Sequence, residues 1–208
     1  MTPIETAQSY NKLASHWDSE KFNRKNGIEQ HKKALKFVKE KGCAIDIGCG
    51  SSGRIIDLLI SEGFDTEALD ISPEMVRLAK QRNQDVTIHL ADICEWDLPR
   101  RYDFISAWDS IWHASLLSQE GILRKLCGGL REGGILIFTS GGTDGPDERT
   151  NPFLGQPLYH AAPGIPKLLT ILADSGCICR HLEYDQPPEE HIYLIAQKAT
   201  PGASGYYG

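Results

Sequence analysis

Residues 43–53 read CAIDIGCGSSG and are followed by RIIDLLISEG, and this stretch decides the fold. The apolar run CAIDI predicts a buried strand, and the spacing of isoleucine and leucine in the second segment predicts a helix with one apolar side. Between them, Gly48, Gly50 and Gly53 let the backbone bend sharply and let a ligand approach it closely. The helix start offers unpaired N–H groups to a polar or negative ligand group. The stretch predicts a ligand-binding strand–turn–helix unit, with a tight turn that binds nothing as the alternative.

Strand and helix patterns alternate on both sides of this unit. Together they form five β/α units, which predict a doubly wound, mostly parallel α/β sheet with right-handed crossovers. Two further apolar strands joined by a Pro-Pro turn predict an antiparallel closing hairpin and a total of seven strands. The remaining predicted strands are 65–71, 86–93, 102–108, 134–140, 177–184 and 191–198, and the remaining predicted helices are 28–40, 72–82, 118–130 and 165–176.

The length of 208 residues suits one domain with small additions. We predict an N-terminal leader over 1–27, a main domain over 28–198 and a flexible tail over 199–208. The leader is expected to form a short helix and a loop that lie over the domain. Residues 141–164, which are rich in Gly, Pro, Asp and Asn, are expected to form a long loop that could close over a substrate as a lid.

Composition limits the partners of the chain. Its 22 basic and 28 acidic residues give a net charge of −6, which disfavours nucleic acid as a partner because the phosphate backbone is negative. No apolar run reaches the ~18 residues that a membrane span needs, and the first residues lack the charged start and apolar core of a signal peptide. The six scattered cysteines fit a reducing cytosol better than a disulfide framework, so we expect a cytoplasmic protein.

Cys177, Cys179 and His181 alternate along a predicted strand, so we expect all three side chains on one face. Zinc ligands usually come as pairs on turns, with a second pair elsewhere in the chain. No second pair is evident, and buried structural cysteines are the favoured interpretation. We therefore predict no metal site.

Two acidic residues follow neighbouring strands. Asp70 ends the second strand, where its carboxylate can accept hydrogen bonds from both hydroxyls of a ribose. Asp92 ends the third, where it can accept the amino group of an adenine while the Ile93 N–H meets a ring nitrogen. Each could instead be an ordinary turn residue. Because ligands of such sheets bind beyond the carboxyl ends of the strands, the two acids and the glycine turn together predict a nucleoside site.

These pieces resemble the class I S-adenosylmethionine-dependent methyltransferase family over about residues 28–198. The resemblance rests on AIDIGCGSSG, ALDIS with SPEMVRLAK, LADI, YDFISAWDSIWH, LREGGILIF and the closing hairpin. It implies an enzyme that moves a methyl group from S-adenosylmethionine to O, N or S of a small molecule and releases S-adenosylhomocysteine. It also implies that the turn binds the methionine part, the first acid the ribose and the second acid the adenine. The residues so assigned are Gly48, Cys49, Gly50, Asp70, Ile71, Asp92 and Ile93, with Asp46 supporting the turn or the cofactor amino group.

The segment WDSIWH at 108–113 is the densest group of reactive and aromatic side chains. We expect Trp108 to pack against the cofactor, and Asp109 or His113 to act as a base if the acceptor arrives protonated. For His113 a backbone hydrogen bond or a packing role is the alternative. Five further side chains are expected to enclose the acceptor, with core, surface or helix-anchoring positions as the alternatives: Tyr10, Trp17, Trp112, Tyr159 and His160.

Three other functions stay open at this point. The spacing Gly48-x-Gly50-x-x-Gly53 matches the glycine pattern of a dinucleotide-binding turn. The methyltransferase family often has its third glycine at the position of Ser52 instead, so an NAD-dependent oxidoreductase stays an alternative. LADI has no role in that alternative. A non-catalytic module would bind the cofactor without turnover, and an RNA methyltransferase is disfavoured because the sequence shows no basic stripe. A homodimer is compatible with the sequence.

Overall fold

A computed structural model describes residues 1–20 and 22–200 of the chain. Residues 201–208, which make up most of the predicted flexible tail, lie outside the described residues. Within the described ranges no helix has both the length and the apolar character needed to cross a membrane.

A seven-stranded sheet forms the centre of the molecule, in the order β3-β2-β1-β4-β5-β9-β8. The first five strands are parallel, and β9 runs antiparallel to both β5 and β8. The predicted α/β sheet with its closing hairpin is therefore confirmed. In chain order the strands are β1 (Cys43–Ile47), β2 (Asp65–Asp70), β3 (Thr87–Leu90), β4 (Tyr102–Ala107), β5 (Leu130–Gly141), β6 (Asp147–Phe153), β7 (Gln156–Ala162), β8 (Cys177–Tyr184) and β9 (His191–Lys198).

Three of the described helices, α1, α4 and α5 below, begin at a capping side chain. Thr2 accepts from the N–H of Glu5 at the first of them, and Ser72, followed by Pro73, accepts from the N–H of Met75 at 3.2 Å. Such caps satisfy N–H groups that have no partner within the helix. The helices are α1 (Pro3–Trp17), α2 (Ile28–Leu35), α3 (Arg54–Ser61), α4 (Pro73–Arg82), α5 (Leu116–Gly128) and α6 (Ile165–Asp174), with a 3-10 turn at Ile111–His113.

Two hydrophobic cores lie on the two faces of the sheet because consecutive strand residues point in opposite directions. Phe104 of β4 packs towards α2 and α3, whereas its neighbour Ile105 packs towards α5 and α6. The chain leaves β1 for β2 on one side and later returns to β4 on the other. A crevice opens above β1 for this reason, at the point where ligands of such sheets bind.

The helix predicted over 28–40 is shorter in the structure, where α2 ends at Leu35. The N–H groups of Phe37 and Val38 donate to carbonyls only three residues earlier, at 3.0 and 3.1 Å. The last turn is therefore tightened into 3-10 geometry. Gly42 lies beyond this turn and does not end the helix.

The prediction of an irregular loop over 141–164 is wrong, because β6 and β7 pair there as a separate two-stranded sheet. Pro152 lies opposite Pro157 in this hairpin, and prolines argue against strands in a sequence pattern. The turn consists of Leu154 at φ 48° and Gly155 at φ 76°, whereas Asn-Gly or Asp-Gly is the usual signal for such a turn. Both features hid the hairpin from the sequence analysis.

The expectation that Cys177, Cys179 and His181 share one face of β8 is also wrong. The register with β9 shifts between Cys179 and His181, so one extra residue reverses the alternation. The two cysteines pack towards the α5 and α6 side, while the His181 ring lies 5.2 Å from the Tyr193 ring on the other face.

Candidate active site

The crevice above β1 contains a cavity of about 220 Å³. Its floor comes from the ends of parallel strands, and α1 forms part of its roof. This position agrees with the nucleoside site predicted from the strand ends. We use the name crevice for this cavity together with its lining. The lining includes Thr6, Tyr10, Trp17, Asn26, residues 47–52, Arg54, 69–71, 91–94 and 108–111, together with His113 and Ala114.

The glycine turn is packed on one side and open on the other. The N–H groups of Gly48 and Cys49 both donate to the carbonyl of Leu69, at 2.7 and 3.0 Å, which ties the turn to β2. A Cβ on Gly48, at φ 74°, would lie 2.3 Å from the Cβ of Ser110. A Cβ on Gly50, at φ 59°, would meet no atom within 4 Å. The turn therefore needs glycine for its own packing at the first position and leaves free space at the second.

Asp70 holds the glycine turn and the start of α4 together. Its two carboxylate oxygens accept hydrogen bonds from the N–H groups of Gly50 and Ser72, each at 2.9 Å. Burial raises the pKa of Asp70, while these backbone bonds act in the opposite direction. Asp92 also lines the crevice, and its Oδ1 accepts from the N–H of Cys94 at 2.9 Å. Ile71 and Ile93 line the same cavity.

Asp46 lies beneath the turn rather than in the crevice lining. The Ser106 hydroxyl lies 2.7 Å from its Oδ1 and 3.0 Å from Nε2 of His31. His31 Nδ1 donates to the Gly27 carbonyl at 2.6 Å. We call Asp46, Ser106 and His31 the buried triad. Burial raises the pKa of Asp46 to about 6 and lowers that of His31 to about 4. The Ser106 hydroxyl has one proton, so it can donate to only one of its two neighbours and must accept from the other. Both bonds therefore form when one end of the triad is protonated, either Asp46 as a neutral acid or His31 as an imidazolium ion.

Trp108 lies 3% exposed at the base of the crevice. Its ring packs at 5.3 Å from the His31 ring and 5.8 Å from the Tyr193 ring. Its indole N–H has no hydrogen-bond partner among the described residues. Trp108 thus lines the cavity, and its contact with a cofactor stays a prediction.

Asp109 lies two residues beyond the end of β4, in the left-handed region at φ 50°. Its N–H donates to the Thr139 hydroxyl at 2.8 Å, and its two carboxylate oxygens accept from His191 and Asn26, each at 3.0 Å. Burial opposes the charge, but the bonds from these two residues and the charge of Arg54 lower the pKa of Asp109. The group is held as a carboxylate.

His191 is a second buried ionisable group that contacts Asp109. Its Nδ1 lies 2.5 Å from Oδ1 of Asp185, and its Nε2 bonds to Asp109. Burial opposes protonation, yet the two carboxylates raise the pKa of His191. The sequence analysis missed this bridge, because the partners of His191 lie 6 and 82 positions away along the chain.

His113 is oriented by three hydrogen bonds. Its Nδ1 lies 2.7 Å from the carbonyl of Tyr159, and its Nε2 lies 2.6 Å from the Tyr10 hydroxyl and 2.9 Å from the Trp112 N–H. Because a carbonyl only accepts, Nδ1 carries the proton and Nε2 accepts from both neighbours. Burial lowers the pKa of His113 to about 3, so the ring is neutral.

A second cavity of about 830 Å³ adjoins the crevice, between β6, β7, α1 and the turn before β9. We call it the chamber. The crevice and the chamber share four side chains, Tyr10, Trp17, Asp109 and His113, which we call the junction. The other chamber residues include Trp112, Thr143, Asp147, Arg149, Phe153, Leu158, His160, Glu189, Glu190 and His191.

Four of the five predicted acceptor residues line the chamber. Trp17 stacks on Phe153 with ring centroids 5.5 Å apart, and Trp112 lies 5.5 Å from the ring of His160. Tyr159 is the exception. It lies on the opposite face of β7 from His160 and turns its hydroxyl to Glu148 at 2.5 Å. Only its carbonyl reaches the site, through His113.

Comparison with known proteins shows what the chain resembles. Residues 44–134 match the methyltransferase domain family. An S-adenosylmethionine-dependent methyltransferase from Clostridium acetobutylicum superposes with a TM-score of 0.69 at 17% identity, covering 92% of this chain and 99% of that one. The chain is therefore similar to a methyltransferase domain over residues 44–134 and shares the fold of an S-adenosylmethionine-dependent methyltransferase.

The chain also matches curated proteins, and it spans about half of the length of these relatives. It is 28% identical to phosphoethanolamine N-methyltransferase of Plasmodium falciparum over 126 residues, which cover 58% of this chain and 47% of the relative. It is 30% identical to magnesium-protoporphyrin O-methyltransferase of Rhodobacter capsulatus over 104 residues, which cover 47% of this chain and 45% of the relative.

Arg54 is a crevice residue that the sequence analysis missed. Its Nε donates to the Asn26 carbonyl at 2.9 Å, and its guanidinium lies 4.9 Å from the centre of the Phe22 ring. Burial lowers its pKa. Its position directly after the glycine turn was the available signal, but a helix-start arginine is also a common surface residue.

Proposed function

We propose that the chain transfers a methyl group from S-adenosylmethionine to O, N or S of a small-molecule acceptor by direct displacement. The observation that carries the proposal is the junction of two cavities, at which one crevice and one chamber share Tyr10, Trp17, Asp109 and His113. The cofactor would lie in the crevice, the acceptor would lie in the chamber, and the reacting atoms would meet at the shared wall. S-adenosylhomocysteine is then the second product.

The crevice residues fit this cofactor chemically. Three buried hydroxyls that line the crevice, on Thr6, Ser51 and Ser110, have no partner among the described residues. Buried polar groups normally have partners, so these atoms point to a polar ligand. The free space beside Gly50 leaves room for it. We assign the methionine part to the turn and Trp108, the ribose to Asp70 and Ile71, and the adenine to Asp92 and Ile93, with Asp46 supporting the turn from below.

The chain's own contribution to catalysis is alignment. When bound, the cofactor supplies a methyl group on a positively charged sulfur, which leaves as a neutral thioether that keeps the electron pair of the broken bond. Well-aligned intramolecular reactions gain up to ~7–11 kcal/mol over free encounter. The junction residues Asp109 and His113, with Tyr10 between the cavities, are proposed to hold the acceptor atom towards the crevice. Trp17, Trp112 and His160 would enclose the rest of the acceptor.

The relatives do not decide the acceptor atom, because one is named as an N-methyltransferase and the other as an O-methyltransferase. An oxidoreductase that uses the glycine turn is not favoured, since the family match covers residues 44–134 and includes the LADI strand end. The six cysteines are all free thiols, which supports a reducing, cytoplasmic location as part of the proposal.

Calorimetric titration of the full chain with S-adenosylmethionine, S-adenosylhomocysteine and NAD tests the cofactor assignment. We expect binding of the first two and none of NAD at the same concentration. A second assay measures S-adenosylhomocysteine release in the presence of fractionated small metabolites. Tight binding of NAD alone would contradict the proposal, and cofactor binding without release in any fraction would favour a non-catalytic module.

A further inference from the structure

We propose that the atom methylated in the chamber is an amine nitrogen. This inference rests on the proposed function and adds the chemical class of the acceptor. The junction carries a fixed negative charge and holds no group that takes up a proton at neutral pH. Such a site favours a nucleophile that is neutral before the reaction and positive after it.

The hydrogen bonds at the junction make the Tyr10 oxygen an acceptor. His113 Nδ1 must carry its proton, because its neighbour at 2.7 Å is the Tyr159 carbonyl. Its Nε2 therefore accepts, and the Tyr10 hydroxyl at 2.6 Å uses its single proton there. The lone pairs of the Tyr10 oxygen remain on a side chain that lines both cavities. An N–H group of the methyl acceptor can donate a hydrogen bond to the Tyr10 oxygen at this position.

The second group at the junction is the Asp109 carboxylate. His191, protonated between Asp109 and Asp185, is the nearest cation, and the three groups together carry one net negative charge. Arg54 contributes positive charge from the crevice side and is not part of the chamber lining. The acceptor side of the junction is therefore negative.

Charge development separates the acceptor classes. An amine nitrogen gains positive charge as it forms the new bond, and a fixed carboxylate stabilises that charge in the transition state. A phenolate, thiolate or carboxylate loses negative charge in the same step. The Asp109 carboxylate repels such an anion and therefore disfavours its binding before the reaction. A neutral hydroxyl needs a base. His113, whose pKa is lowered to about 3, does not supply one.

The chamber walls also suit a cation. Aromatic rings of Trp17, Phe153 and Trp112 face a space bordered by carboxylates, and π faces attract positive groups. Among the described residues of the chamber lining, Arg149 is the one lysine or arginine, and it is already paired with Asp147 and, at 3.2 Å, with Glu190. An ammonium group enters this field more easily than an anion.

The step balances without a protein base. The amine reaches the chamber as an ammonium ion and releases one proton to solvent. Its lone pair then forms the N–C bond while the S–C pair stays on sulfur, and the product leaves as a methylated ammonium ion. Because Asp109 and His113 do not hold the proton, kcat/KM should rise with pH until the amine's own ionisation is complete. Its pH profile should keep this shape in the His113→Gln variant, whose amide oxygen can still accept from Tyr10.

Isotope transfer identifies the atom directly. The full chain is incubated with S-adenosylmethionine carrying a CD3 group and with fractionated metabolites, and each labelled product is fragmented by mass spectrometry. We expect CD3 on nitrogen. A label on oxygen, sulfur or carbon overturns the inference while leaving the proposed function intact. Absence of cofactor binding in calorimetry instead overturns the proposed function.

Binding of matched probes gives a second readout that needs no turnover. Ligand-observed NMR compares 2-phenylethylamine with 2-phenylethanol, and glucosamine with glucose, in the presence of S-adenosylhomocysteine. We expect the amines to bind about tenfold more tightly, because hydrogen bonds between an ammonium group and a carboxylate are stronger than those of a neutral hydroxyl. The absence of an amine preference in both pairs, including the absence of all binding, contradicts the inference.

Two variants locate the amine preference at the junction. Asp109→Asn should remove most of it, whereas Asp174→Asn, an identical substitution on an exposed helix end, should preserve it. Thermal unfolding shows whether the first variant folds. If Asp109→Asn disrupts the fold, Tyr10→Phe replaces it, since that change keeps the ring and removes the acceptor oxygen together with its hydrogen bond to His113. An unchanged amine preference in a folded variant of either kind counts against the role of the junction.

Discussion

Asp70 holds the glycine turn through its backbone contacts and is proposed to bind the ribose of the cofactor. Replacement by asparagine separates these two roles. The amide oxygen of Asp70→Asn can keep one of the two backbone contacts with Gly50 and Ser72, and its NH2 group then faces the other N–H. A hydrogen bond to a charged group contributes about 1.5–3 kcal/mol. Because burial raises the pKa of Asp70, the neutral amide avoids part of the cost of a buried charge. We therefore expect the lower half of that range, about 1.5–2 kcal/mol of unfolding free energy.

The same substitution removes an acceptor for the ribose hydroxyls. By the same magnitude, the affinity for S-adenosylhomocysteine should fall by about 10- to 100-fold. The assays are isothermal calorimetry for affinity and thermal unfolding for stability, where a loss of this size lowers Tm by about 3–8 °C. Calorimetry is performed at a temperature at which the variant remains folded.

Asp103→Asn is the matched control. Asp103 is similarly buried, at 7% exposure against 8% for Asp70, and its Oδ2 accepts from the N–H of Cys43 at 2.8 Å and from Arg131 at 3.0 Å. It lies at the amino-terminal end of β4, away from the crevice. We expect a comparable loss of stability without a change in affinity. Equal S-adenosylhomocysteine affinity in Asp70→Asn and the unaltered protein would refute the ribose assignment.

Two further predictions follow from the turn and from the buried histidine. Gly48→Ala should lower the unfolding free energy by at least about 2 kcal/mol, because strain at positive φ adds to the clash with Ser110. Gly50→Ala should lower it by about 1–2 kcal/mol, from the backbone strain alone, and should weaken cofactor binding about tenfold or more. Thermal unfolding and calorimetry measure both, and greater stability loss at Gly50 would contradict the packing described. His113, with its pKa lowered to about 3, is neutral in the folded state and protonated below about 6.5 when unfolded, so stability should fall by up to about 1.4 kcal/mol per pH unit as pH drops from 6.5 to 5. The buried triad adds little, because folded Asp46, with a pKa of about 6, takes up a proton over nearly the same window as His31 does in the unfolded chain. Urea unfolding of His113→Asn should therefore show a flatter pH slope, and an unchanged slope would contradict the assignment.

Local patterns predicted the elements that carry the cofactor site. The strand β1, the glycine turn and the Ser72–Pro73 helix start depend on neighbouring residues, so the sequence contains all of the signal. The position of Asp70 follows from the same logic, because the carboxyl ends of parallel strands meet at one edge. Its bond to the Gly50 N–H is a detail that only the folded turn creates.

Long-range pairings were beyond such reasoning. The bridge from His191 to Asp109 joins residues 82 positions apart, and the contact from Tyr10 to His113 spans 103 positions. The sequence predicts that Tyr159 lines the acceptor site because it predicts a loop, and no strand, over residues 141–164. Once β7 forms, strand alternation points its ring away from the chamber and leaves His160 in place. The failure thus arose from a missed strand rather than from the residue type.

The hairpin of β6 and β7 forms a sheet of its own, while the crevice is built from the central sheet. Under the proposed function, the central sheet binds the methyl donor and the hairpin contributes to recognition of the acceptor. Under the same proposal, substitutions in the hairpin would alter which molecule is methylated while leaving the strand ends that bind the donor unchanged. The acceptor would then change during evolution through substitutions in a single two-stranded ribbon.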